Sequence, residues 1–124
     1  LVEGEVQFDE GVINAPIGDH PRYHDLRCIA AEGEGKEAET YYKVVKRHKG
    51  RTAVALFPTT GRTHQLRLHM RYLRHAILGD EKYGNKENFP RLALHAQSIF
   101  FEHPADKQPM EVSVPLPSEF VPFF

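Results

Sequence analysis

The sequence predicts an α+β domain, a mostly antiparallel sheet with one principal helix. Short runs of alternating apolar and polar residues, separated by turn signals, recur on both sides of the chain's middle. Only the stretch from His64 to about His75 carries apolar residues at a clear helical spacing. The intervening segments are rich in Gly, Pro and Asn. At 124 residues the chain fits one small domain, or part of a larger one, with a single core.

Taken in order, residues 1–40 are turn-rich, and "EGEGKEAE" (32–39) is an exposed loop. "TYYKVVKRH" (40–48) is dense in β-branched and aromatic residues, "KG" (49–50) is a turn signal, and "RTAVALFPT" (51–59) alternates again. Together they predict a β-hairpin. "TTG" ends the second strand, and Thr63 is placed to cap a helix. Leu66, Met70, Leu73 and Ile77 then share one helical face, with Arg67, Arg71 and Arg74 on the face beside it. Residues 77–90 read as a loop. "RLALHAQSIFFEHP" (91–104) begins as a turn and becomes a strand, with Ile99 and Phe101 on one face. "MEVSVPLP" (110–117) is a further strand, and Ser118 opens a terminal helical turn.

The net charge of −1 conceals a segregation. Residues 1–40 hold ten acids and three bases; residues 41–79 hold nine bases and no acid; residues 80–124 hold seven acids and four bases. The acid-free stretch predicts a surface that faces a polyanion, unless the acidic ends fold over it. The single cysteine, Cys28, excludes an internal disulfide, fits a reducing cytoplasm and reads as a small buried thiol. No apolar run reaches the ~20 residues of a membrane span, and no signal peptide is visible. The chain opens on Leu1 rather than Met, as a processed chain or one cut from something longer would.

Eight histidines raise the question of metal, but His64 to His69 is i, i+5 and His69 to His75 is i, i+6, so neither pair shares a helix face. HExxH, G-x-S-x-G and the P-loop ending are absent. The basic helix follows a hairpin rather than a short helix, against helix-turn-helix binding. Contact with phosphate and RNA remains, through Arg62 before the helix and Arg67, Arg71 and Arg74 along it. Arg67 lies between Leu66 and Leu68 beside the core, and a partly buried arginine wants a carboxylate partner.

"TTGRTHQLRLHMRYLRHAILGDEKYG" resembles the signature of RluA-type pseudouridine synthases, and "RLALHAQSIFFEHP" and "GKEAETYYKVV" are similar to two further motifs of that family. The resemblance covers roughly residues 10–120. It implies an isomerase, without cofactor or metal, that moves the glycosidic bond of uridine from N1 to C5 in ribosomal or transfer RNA, on a base flipped out of its stack. It also implies that Arg67 pairs with the essential Asp of an HRLD motif. No such motif occurs in these residues, and the family's uracil-contacting Tyr also precedes the segment. The reading is therefore the C-terminal portion of a cytoplasmic synthase's catalytic domain, spanning 1–124, inactive alone and expecting an N-terminal half as partner. Arg62, His64, Gln65, His69, Arg71 and Arg74 are the candidate RNA-binding set, with His64, Gln65 and His69 as pocket or supporting groups. Asp80 reads as structural, holding the loop after the helix. Ala76 stands where the family usually has Pro. A non-catalytic RNA-binding module is the alternative, and a metal-dependent enzyme the third reading.

Overall fold

The computed structural model describes residues 1–31, 33–95, 98–102, 109–113, Ser118 and Phe120. It divides into two units, Leu1–Ala93 and Leu94–Phe124. The first contains a four-stranded antiparallel sheet of β1 (Val2–Glu3), β2 (Glu10–Asn14), β5 (Glu39–His48) and β6 (Arg51–Pro58), in the order β1-β6-β5-β2. A small ribbon pairs β3 (Ile17–Asp19) with β4 (Arg27–Ile29), and the α-helix α1 spans Gln65–Tyr72. In the second unit, β7 (Ser98–Glu102) and β8 (Pro109–Ser113) pair antiparallel. The class is α+β, as the sequence predicts. The side-chain faces of Ile99 and Phe101 and most of the terminal turn expected from Ser118 lie outside the described residues.

The β5–β6 hairpin forms where the alternation predicts it. His48 pairs with Arg51 across Lys49 and Gly50, whose φ angles of 50° and 78° are those of a two-residue type I′ turn. A register shift between Val44 and Lys46 makes Val45 a bulge residue, and its side chain is exposed. Before the bulge, Thr40 and Tyr42 point into the core.

The helix differs from the expectation in three ways. It begins after His64, whose left-handed backbone (φ 58°) supplies the cap position without a side-chain cap, so Thr63 does not play that part. It stops at Tyr72 instead of near His75. Leu73 is the C-cap, Arg74 is left-handed at φ 68°, and the amides of Arg74 and His75 bond to the carbonyls of Arg71 and Met70. These two bonds form a Schellman ending. The most deeply buried helical residues are Gln65, Leu68, His69 and Met70, whereas Leu66 and Leu73 are only half-buried. Ile77 lies beyond the helix and bridges to Val2.

Leu68 packs with Ile17, Ala38 and Tyr83, flanked by Leu26 and Ile29. The helix is thus keyed to the β3–β4 ribbon and to the loop that follows it. That loop is tightly tied. The Asn88 amide oxygen accepts from Gly79 N, and a Cβ on Gly79 (φ 72°) would fall 2.0 Å from the Arg91 carbonyl oxygen, so only glycine fits. Among the described residues, no helix is long and apolar enough to cross a membrane.

Candidate active site

Asp80 follows that glycine and has no exposed surface. Its Oδ1 accepts from Lys82 N and Tyr83 N, both at 3.0 Å, which folds the loop back on itself. The same carboxylate takes both donors of one edge of Arg67: Nη2 to Oδ1 at 2.6 Å and Nε to Oδ2 at 3.1 Å. The Arg67 side chain is 15% exposed. Burial opposes the charge on Asp80, but the Arg67 hydrogen bond and the two amides outweigh it and hold the carboxyl below its ordinary range. The Asp80 hydrogen bond correspondingly raises Arg67 above its own usual value. So the carboxylate that Arg67 calls for lies within this chain. Asp80 holds the loop, as the sequence implies, and also orients the arginine.

Two groups join this pair. The Arg67 guanidinium carbon sits 5.3 Å from the centroid of the Tyr83 ring, within cation–π range. The Tyr83 hydroxyl lies 2.7 Å from His64 Nδ1 and accepts the Arg27 amide at 3.0 Å. His64 is half-buried. Burial, followed by the positive charges of Arg67, Lys82 and Arg27, lowers its pKa, so the ring is neutral at neutral pH. Arg67 Nη1 makes no hydrogen bond among the described residues.

The other expected site residues scatter. Gln65 and His69 are buried, and neither side chain reaches a surface. His69 Nε2 donates to the Ala15 carbonyl and Nδ1 meets Thr40 Oγ1 at 2.8 Å; burial lowers its pKa, against the Ala15 bond. Gln65 Nε2 donates to Thr40 Oγ1 and to the Glu39 carbonyl, while its oxygen accepts from Thr60 Oγ1 and Arg62 N. This chain of bonds fastens the helix start to β5 and fixes the loop that carries Arg62. Arg62 donates from Nε to the Glu37 carbonyl at the rim of an open groove that Arg27, Cys28, Gly35 and Lys36 also line. Cys28 is half-exposed rather than buried, since it lies on this rim. Arg71 is exposed on the last helical turn. The left-handed turn takes Arg74 off the helix, so the basic stripe expected from 67, 71 and 74 is broken. Of the acid-free stretch, Arg47 is tied off by Asp9 at 2.9 Å, as Arg67 is by Asp80. Among the described residues no group of three or more His, Cys, Asp or Glu gathers as metal ligands. Tyr83 has no site role in the sequence reading, which sets it aside with Tyr41 and Tyr42 as not the family's uracil-contacting tyrosine, and no periodicity links residue 83 to residue 64.

A family model described as RNA pseudouridylate synthase matches residues 5–72. The uncharacterized RNA pseudouridine synthase YjbO of Bacillus subtilis is 38% identical over 120 residues, an overlap of 96% of this chain and 42% of that protein. Ribosomal large subunit pseudouridine synthase D of Vibrio vulnificus is 37% identical over 126 residues, covering 90% of this chain and 38% of that one. The solved structure of human RNA pseudouridylate synthase domain containing 1 superposes with a TM-score of 0.80 at 29% identity, over 92% of this chain and 51% of that chain. The chain spans about two fifths of the length of the curated relatives it matches. With a family model matched over more than half its length, the chain belongs to the RNA pseudouridylate synthases, and its motifs fit the RluA type.

Proposed function

We propose that this chain is the arginine-bearing portion of a synthase that converts uridine to pseudouridine in RNA, and that it is inactive without an HRLD-bearing half. One observation carries the reading: Arg67 is clamped along one edge by Asp80, and its Nη1 makes no hydrogen bond among the described residues. A guanidinium held this way enters the site already oriented, so little rotamer entropy is lost when it meets a second anion. The essential aspartate supplied from upstream is that anion, and Arg67 keeps it ionised. Arg62 and Arg71 contact RNA phosphates and set the register of the strand. Gln65 and His69 act from behind by holding the loop and helix. The names of several relatives favour ribosomal RNA as the substrate.

The test is pseudouridine formation on ribosomal and transfer RNA, by this chain alone and by the complete protein that carries it. The chain alone gives none and the complete protein gives product. Arg67→Met in the complete protein lowers turnover by at least a hundredfold, as loss of a positioned charged group does. Turnover by the isolated chain, or full activity of the Met variant, overturns the reading.

A further inference from the structure

Tyr83 has no part in the function as described so far, yet it touches both polar groups of the site. Arg67 lies over its ring face, and His64 meets its ring edge-on, with centroids 5.5 Å apart and planes at 69°. Tyr83 is 7% exposed, and its hydroxyl has two partners among the described residues. The Arg27 amide can only donate to it. The single phenolic proton therefore needs an acceptor, and among the described residues His64 Nδ1 is the one within reach. If Nδ1 carried a proton instead, the phenolic hydrogen would have no acceptor among the described residues, in a residue only 7% exposed, which costs free energy.

We propose that Tyr83 is a positioning residue that fixes His64 as the Nε2–H tautomer, making its outer nitrogen a neutral donor to an oxygen of the bound RNA next to Arg67. The proposal rests on the RNA-modifying reading above. Two further features support it. His64 holds its left-handed backbone without glycine, a conformation that persists only where its surroundings over-determine it. Its lowered pKa keeps Nδ1 available as an acceptor at neutral pH. The arrangement also couples three segments. The β4 amide orients the phenol, the phenol orients the histidine, and the loop bearing Tyr83 is the one that Asp80 clamps onto Arg67.

Long-range proton–nitrogen NMR of the ring nitrogens in the 124-residue chain reads the tautomer directly and needs no variant. The His64 signals show Nε2 protonated and Nδ1 bare. Tyr83→Phe keeps the ring beneath Arg67 but removes the hydroxyl, and the signals then change to a mixture of tautomers. Affinity for a uridine-bearing RNA hairpin falls about fivefold in Tyr83→Phe, the worth of one hydrogen bond. It falls no further in Tyr83→Phe/His64→Ala than in His64→Ala alone. A wild-type His64 protonated on Nδ1 overturns the proposal, and so do additive losses in the double variant. The two readings fail differently. If the functional reading is wrong, the complete protein makes no pseudouridine while the Nε2–H tautomer remains. If the tautomer assignment is wrong, the opposite tautomer appears while activity is kept.

Discussion

Asp80 receives four hydrogen bonds with no surface exposed to water, and two come from a guanidinium that is itself largely covered. Asp80→Ala leaves that cation desolvated and frees the loop, so it should lower stability by about 3–5 kcal/mol, read as the shift of the urea midpoint. An unchanged midpoint would mean the pair does not support the fold. His69 predicts a pH dependence. Its folded pKa is lowered by burial from 6.5, so the unfolded chain binds its proton more readily. Stability contributed by the neutral ring is therefore full above about pH 6.5 and falls as pH drops through that value. His64 is shifted the same way and adds to the slope. Urea midpoints across that range should fall with acid, and fall less in His69→Gln; equal slopes in the two proteins would refute the assignment. At this scale the sequence showed what Arg67 needs but not where it finds it. Its place between two leucines demanded a carboxylate, but Asp80 lies 13 residues on, beyond a helix ending whose geometry no local pattern specified.

The elements that local chemistry dictates are the ones the sequence made legible. The β5–β6 hairpin follows from β-branched strands around Lys49–Gly50, a pair able to take the two left-handed conformations the turn demands. The bulge at Val45 has no such signature, because it depends on how β5 meets its partners. Nor could apolar spacing give the rotation of α1: the buried face is built on Gln65 and His69, polar residues whose groups are satisfied by Thr40, Glu39 and Ala15. The end of the helix carries its own prediction. Arg74 occupies the left-handed position of the Schellman ending, which glycine takes without steric penalty. Arg74→Gly should raise stability by about 1 kcal/mol in thermal or urea unfolding. A loss of stability would show that the arginine side chain contributes more to the fold than its backbone strain costs.

Under the proposed function, charge decides across the whole chain how RNA is met. The acid-free stretch between 41 and 79 is only partly neutralised by its acidic flanks: Arg47 is bound by Asp9 and by the Val6 carbonyl, and Arg67 by Asp80, whereas Arg71 stands exposed and Arg62 lines the groove, held through Nε by the Glu37 carbonyl. These placements separate bases that hold the fold from bases that can release counterions. Each phosphate neutralised on single-stranded RNA contributes about −0.7 to the slope of log affinity against log salt. Arg62→Gln and Arg71→Gln should each weaken hairpin binding and flatten that slope by roughly one contact. Arg47→Gln, although equally a loss of one positive charge, should leave the slope as it is, because its guanidinium is already occupied. A slope that fell equally in all three variants would mean that net charge alone governs binding. A slope changed only by Arg62 and Arg71 would place the RNA backbone along the groove rim and the last turn of α1.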